Sequence, residues 1–147
     1  MKTKIFCDSA DIKTIKEFNN NSIVNGFTTN PSLMRKAGAK DYKNYSLKLL
    51  SVCKKKPISL EVFADKFDKM IRQANMINSW GKNVYVKIPV VNSKGLFSGT
   101  VINKLSNKGI KLNITAVYTV LQVRKILKNI NKNSKTIISI FAGRMGD

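Results

Sequence analysis

The chain has 147 residues, 27 Lys and Arg against 8 Asp and Glu, and no His, for a formal charge of +19. Apolar residues at 43% suffice for one packed core, and no run approaches the roughly 20 apolar residues of a membrane helix. With no His and only two cysteines, zinc and haem sites and a Ser/His/Asp triad are excluded, so catalysis has to run on Lys, Asp, Glu, hydroxyls and amides.

Met1 to Asp8 lacks the long apolar stretch of a secretory signal. A soluble, cytoplasmic protein of one domain is expected, with Cys7 and Cys53 as reduced thiols among apolar neighbours. The basic balance raises the prospect of nucleic-acid binding. Against it, the cations divide into 23 Lys and 4 Arg, whereas bidentate phosphate grips favour Arg. A solvated lysine-rich exterior is the simpler reading.

In chain order, strands are predicted over Lys4–Asp8, Gly26–Asn30, Ile58–Phe63, Asn83–Ile88, Ile110–Thr115 and Thr136–Phe141. Helices are predicted between them. Ser9 caps one through Phe18; Asp41 caps another carrying Tyr42, Tyr45, Leu49 and Cys53 at helical spacing; Asp65 begins a third. Ser93–Leu105 and Tyr118–Ile130 complete the set. This alternation is that of parallel strands joined by right-handed crossovers, an α/β fold.

Alternate residues of a strand face opposite ways, so each strand divides into two faces. One collects Ile5, Cys7, Phe27, Thr29, Leu60, Val62, Val84, Val86, Ile88, Leu112, Ile114, Ile138 and Ile140, and suits packing helices. The other collects Phe6, Asp8, Gly26, Thr28, Asn30, Ser59, Glu61, Phe63, Tyr85, Lys87, Asn113, Thr115, Ser139 and Phe141, with its polar groups toward the C-terminal ends of the strands. A doubly wound sheet buries both faces and has no use for such a row. A (β/α) barrel gathers it at one mouth, where such barrels hold their chemistry.

Lys87 stands out within Val84-Tyr85-Val86-Lys87-Ile88-Pro89, an apolar strand where an ammonium is costly without a partner. It is either one half of an ion pair with Asp8 or Glu61, or a desolvated amine that attacks a carbonyl to form a Schiff base. The nearby carboxylates and amides favour the second, because imine chemistry needs proton carriers. Asn30, Asn113, Thr28, Thr115 and Ser139 suit a polyhydroxylated substrate.

Six blocks together resemble the transaldolase family, especially its short single-barrel members. They are Ile5-Phe6-Cys7-Asp8, Gly26-Phe27-Thr28-Thr29-Asn30-Pro31-Ser32-Leu33, Ser59-Leu60-Glu61-Val62, Val86-Lys87-Ile88-Pro89, Gly109-Ile110-Lys111-Leu112-Asn113-Ile114-Thr115 and Ser139-Ile140-Phe141-Ala142-Gly143-Arg144-Met145. The resemblance implies a (β/α)8 TIM barrel of the class I aldolase type, of which residues 1–147 cover six β/α units as a single incomplete domain. It also implies transfer of a dihydroxyacetone unit between sugar phosphates in the pentose phosphate pathway, without metal or cofactor.

By the same resemblance Lys87 forms the Schiff base and Asp8 exchanges the proton of the hydroxyl next to the cleaved bond. Glu61, through a water held with Thr115, assists imine formation. Thr28, Asn30, Asn113 and Ser139 bind the substrate, and Arg144 contacts its phosphate. Related fructose 6-phosphate aldolases tend to carry Gln at the Glu61 position and Tyr at the Phe141 position, so transfer is expected over simple cleavage. Ile140, Ala142 and Val90-Val91-Asn92 depart from the family's usual residues, which leaves another sugar phosphate open as substrate. The expected partners are sugar phosphates, with no specific nucleic acid and no membrane, and a homo-oligomer for the full-length protein. An inactive fragment and a basic nucleic-acid module are the alternatives. The 147-residue piece alone is expected to be poorly stable and weakly active.

Overall fold

The computed structural model describes residues 3–143. Six parallel strands follow one another in the order β1-β2-β3-β4-β5-β6, the strand order of a (β/α) barrel. The fold is α/β, as the strand and helix alternation predicts. Among the described residues no helix is long and apolar enough to cross a membrane.

The chain divides into two compact units. The first runs up to Glu61 and takes in Ser79–Tyr85. It holds β1 (Ile5–Asp8), α1 (Ile12–Asn19), β2 (Val24–Thr28), α2 (Pro31–Lys36), α3 (Tyr42–Val52), β3 (Ile58–Glu61) and the entry into β4 (Val84–Pro89). Its core is built from Ile15, Phe27, Met34, Leu49, Ile58 and Leu60, each at most 1% exposed. Phe27 and Leu60 come from the face predicted to pack helices. Within this unit β3 meets the segment leading into β4 through Ile58 N donating to Asn83 O at 3.1 Å.

The second unit holds Val62–Asn78 and the chain from Val86 onward. Its elements are α4 (Phe67–Asn78), the rest of β4, α5 (Gly99–Asn107), β5 (Leu112–Val117), α6 (Val120–Asn129) and β6 (Thr136–Ile140). Val86, Ile88, Leu112 and Ile114 are fully buried beside Ile102 and Leu105 of α5. On β6 the same face is open, with Ile140 60% exposed, and among the described residues β6 has a strand neighbour on one side only.

Several predicted boundaries move, each for a local reason. Asp11, not Ser9, caps α1: its Oδ1 accepts from Thr14 N and from the Thr14 hydroxyl, both at 2.8 Å, which holds its carboxyl below the usual range. Asp41 caps α3 as predicted, accepting from Asn44 N at 2.7 Å. Asp65 instead accepts from Ser93 N at 2.7 Å, and that bond lowers its pKa. The predicted Ser93–Leu105 helix begins only at Gly99, since Val91 and Phe97 pair as an antiparallel bridge across a tight loop. There Asn92 Oδ1 accepts from Lys94 N and Leu96 N.

Strand β2 starts and ends two residues earlier than predicted, and a short helix, α2, follows it at once. Asn30 is therefore no strand residue but the N-cap of α2, accepting from Leu33 N at 2.9 Å, with Pro31 fixing the first turn.

Candidate active site

The first unit presents Asp8 and Thr28 as register partners at the ends of β1 and β2, and Thr28 is in turn opposite Ser59 of β3. The Thr28 hydroxyl donates to Asp8 Oδ1 at 2.8 Å. Parallel pairing sets this contact, because register partners point to the same face. Asp8 is exposed and Ser59 is buried. Glu61 is the last residue of β3 and half-buried, and its main-chain carbonyl accepts from the Tyr42 hydroxyl at 2.8 Å.

The second unit presents Lys87, Asn113, Thr115 and Ser139. Lys87 of β4 is only 7% exposed, and Asn113 of β5 is its register partner. Asn113 is buried and accepts on Oδ1 from the Ser139 hydroxyl of β6 at 2.7 Å. A lysine and an amide are thus register partners, and a hydroxyl two residues beyond Ile137, the β6 partner of Asn113, bonds the amide from the third strand. Two residues along, Thr115 is opposite Pro89. Its Oγ1 is buried and finds no hydrogen-bond partner among the described residues. Phe141 meets Tyr118 edge-on, with ring centroids 5.6 Å apart. Arg144 lies outside the described residues.

The structure thus brings together Asp8 with Thr28, and Lys87 with Asn113 and Ser139. It moves Asn30 onto a helix cap, where Oδ1 is committed and Nδ2 is left to donate. Two residues escape the sequence reading. Tyr42 and Tyr45 sit on the helical stripe as core residues, yet each hydroxyl goes to a main-chain carbonyl, Tyr45 reaching Ala10 O at 2.9 Å and Ala37 O at 3.2 Å. The available signal is chemical: a tyrosine on a buried stripe needs a place for its hydroxyl. Ala116 has a positive φ of 57° next to Thr115, where the β5–β6 register shifts. Alternation alone carries no sign of such a bulge.

Fold and side chains define a parallel β/α protein with its polar groups at the C-terminal strand ends and a buried lysine on the fourth strand. The transaldolase/fructose-6-phosphate aldolase family matches residues 5–147. A probable transaldolase of Thermoplasma volcanium is 37% identical over 146 residues, covering 98% of this chain and 61% of that protein. Those of Streptococcus agalactiae serotype V and Herpetosiphon aurantiacus are 36% and 33% identical over 144 residues, with 98% of this chain and 62% and 61% of theirs. The chain belongs to the transaldolase/fructose-6-phosphate aldolase family. It spans a little over three fifths of the length of these relatives.

Proposed function

We propose that the chain belongs to an aldolase-type transferase that moves a dihydroxyacetone unit between sugar phosphates through a Schiff base on Lys87. The observation that carries this reading is the buried lysine beside the Asn113–Ser139 hydrogen bond. An amine held among apolar side chains has few ways to be useful, and attack on a carbonyl is the one its polar neighbours suit.

In this reading the Lys87 amine adds to the keto carbon of the donor, and loss of water gives an iminium. Asp8 removes the proton from the hydroxyl on the carbon beyond the bond that breaks. That oxygen becomes an aldehyde, the carbon–carbon bond breaks, and its electron pair passes to the iminium, leaving an enamine on the lysine. The enamine adds to an acceptor aldehyde, and water then hydrolyses the imine and frees Lys87. Glu61 and Thr115 serve proton transfer in imine formation and hydrolysis. Thr28, Asn30 through its Nδ2, Asn113 and Ser139 hold the substrate hydroxyls, and Arg144 holds phosphate. Glu61 and Phe141 are the residues that favour transfer over simple cleavage. The same proposal places the protein in the cytoplasm, with sugar phosphates as its partners.

Borohydride reduction in the presence of fructose 6-phosphate tests this. A stable adduct on Lys87 is expected, absent from Lys87→Ala. Labelling of another lysine, or labelling unchanged in Lys87→Ala, would overturn the mechanism. Release of free aldehyde at an undiminished rate without an acceptor would assign a lyase instead.

A further inference from the structure

The two tyrosines of α3 reach the same functional region from behind. Tyr42, the first residue of the helix, donates to the carbonyl of Glu61, and Tyr45, one turn on, donates to the carbonyl of Ala10, two residues beyond Asp8. Both proposed carboxylates of the first unit thus sit at or near main-chain groups fixed by this helix. Tyr42 has the more direct hold, because it bonds the peptide unit of Glu61 itself.

The bond is anchored at both ends. Asp41 caps α3 and fixes the position of its first turn, and the Tyr42 ring stands beside Trp80 with centroids 6.1 Å apart. Burial pushes the Tyr42 phenol well above the usual tyrosine range, and the Glu61 carboxylate adds to the rise, so the hydroxyl remains a donor at every physiological pH. A buried phenol has given up its water and must donate to something. What it is given is the carbonyl at which β3 ends.

We infer that Tyr42 is a positioning residue for Glu61: by holding the Glu61 carbonyl it fixes the end of β3 and the direction in which the Glu61 carboxylate leaves the strand. The inference rests on the reading of Glu61 as a proton carrier given above. It assigns Tyr42 no contact with substrate.

The test is a double-mutant cycle on turnover, with Tyr45→Phe as control. Tyr42→Phe keeps the ring against Trp80 and removes only the hydroxyl. Turnover is expected to fall about tenfold with KM within about twofold, since misplacing a catalytic group by a fraction of an ångström costs rate before it costs binding. In a Glu61→Gln background the same change should have no further effect. Tyr45→Phe loses a hydroxyl with two acceptors from the same helix, and its effect should be the same in both backgrounds. Amide exchange supplies a readout that needs no activity. Val62 N, next in chain to the held carbonyl and bonded to Lys87 O at 3.1 Å, should exchange faster in Tyr42→Phe, whereas amides inside α3 should not.

Equal effects of Tyr42→Phe in both backgrounds, unchanged turnover, or unchanged Val62 exchange would overturn the inference. Full turnover by Glu61→Gln would instead overturn the role of Glu61, and the inference with it. If the wild type does not turn over, the function is in question, and exchange at Val62 alone decides whether Tyr42 holds the end of β3.

Discussion

Asn30 has two duties that ask for different atoms. Its Oδ1 caps α2, and the proposed chemistry needs its Nδ2 as a donor to substrate. Asn30→Asp keeps the cap, and a carboxylate at a helix N-terminus is favourable; it turns the donor into an acceptor. Urea unfolding should place this variant at or above the wild type, while turnover drops. Asn30→Ala loses the cap as well, at about 1 kcal/mol. Equal stability losses for the two variants would show that the cap is unimportant.

Cys53 is fully buried, and its Sγ donates to Lys56 O at 3.4 Å. Burial raises its pKa from 9.0 to about 11. A folded-state pKa above the unfolded one means that the fold favours the protonated thiol. The stability this confers is complete below pH 9.0 and is lost as pH rises toward about 11. The stability difference between wild type and Cys53→Ala should therefore shrink across that window. Taking the difference removes the lysine titration common to both proteins, and a pH-independent difference would contradict the assignment.

Among the elements, two backbone positions constrain β2 and β5. Gly26 is the register partner of Phe6, and a Cβ there would run into the Phe6 ring and meet Pro57 Cγ at 2.8 Å. The ring lies across the bare backbone. Gly26→Ala should destabilise by roughly 1–3 kcal/mol, the usual range for overpacking, seen as a lower urea midpoint. At Ala116, φ of 57° lies in the left-handed region, which disfavours any side chain. Ala116→Gly should gain up to about 1 kcal/mol, the roughly 1–2 kcal/mol of left-handed strain less the roughly 0.5–1 kcal/mol entropic cost of glycine, and Ala116→Val should be destabilised. A stabilised Val variant would refute the strain.

The strands themselves were legible, because Phe27, Leu60, Val86, Ile88, Leu112 and Ile114 alternate with polar neighbours and are buried as that pattern requires. Helix starts were less so. Ser9 and Asp11 are both good caps two residues apart, and only the bonds to Thr14 chose between them. The Val91–Phe97 bridge is a pairing of non-neighbours that no local propensity carries.

At the scale of the molecule, charge and exposed apolar surface oppose each other. In the second unit α6 exposes Val120 at 69%, Leu121 at 61% and Leu127 at 54%, and Arg124, Lys125 and Lys128 interrupt them. Apolar patches of this kind favour association. A charge of +19 opposes it until salt screens the repulsion, as the Debye length falls from about 10 Å at 0.1 M to about 3 Å at 1 M. Light scattering should rise with sodium chloride. Leu121→Lys with Leu127→Glu should suppress that rise and leave the unfolding midpoint close to wild type. Scattering that stays flat with salt in the wild type would show that the patch is inert.

Period and polarity along the chain suffice for the alternation of strand and helix, the two faces of each strand and the isolation of Lys87 on an apolar strand. Tertiary structure decided which atoms meet. Parallel register set Thr28 beside Asp8 and Asn113 beside Lys87, a cap took one side of Asn30, and a phenol from α3 reached the Glu61 carbonyl. Apart from the cap, which reaches only three residues along the chain, those pairings join residues 19 or more apart in sequence, and only packing brings them together.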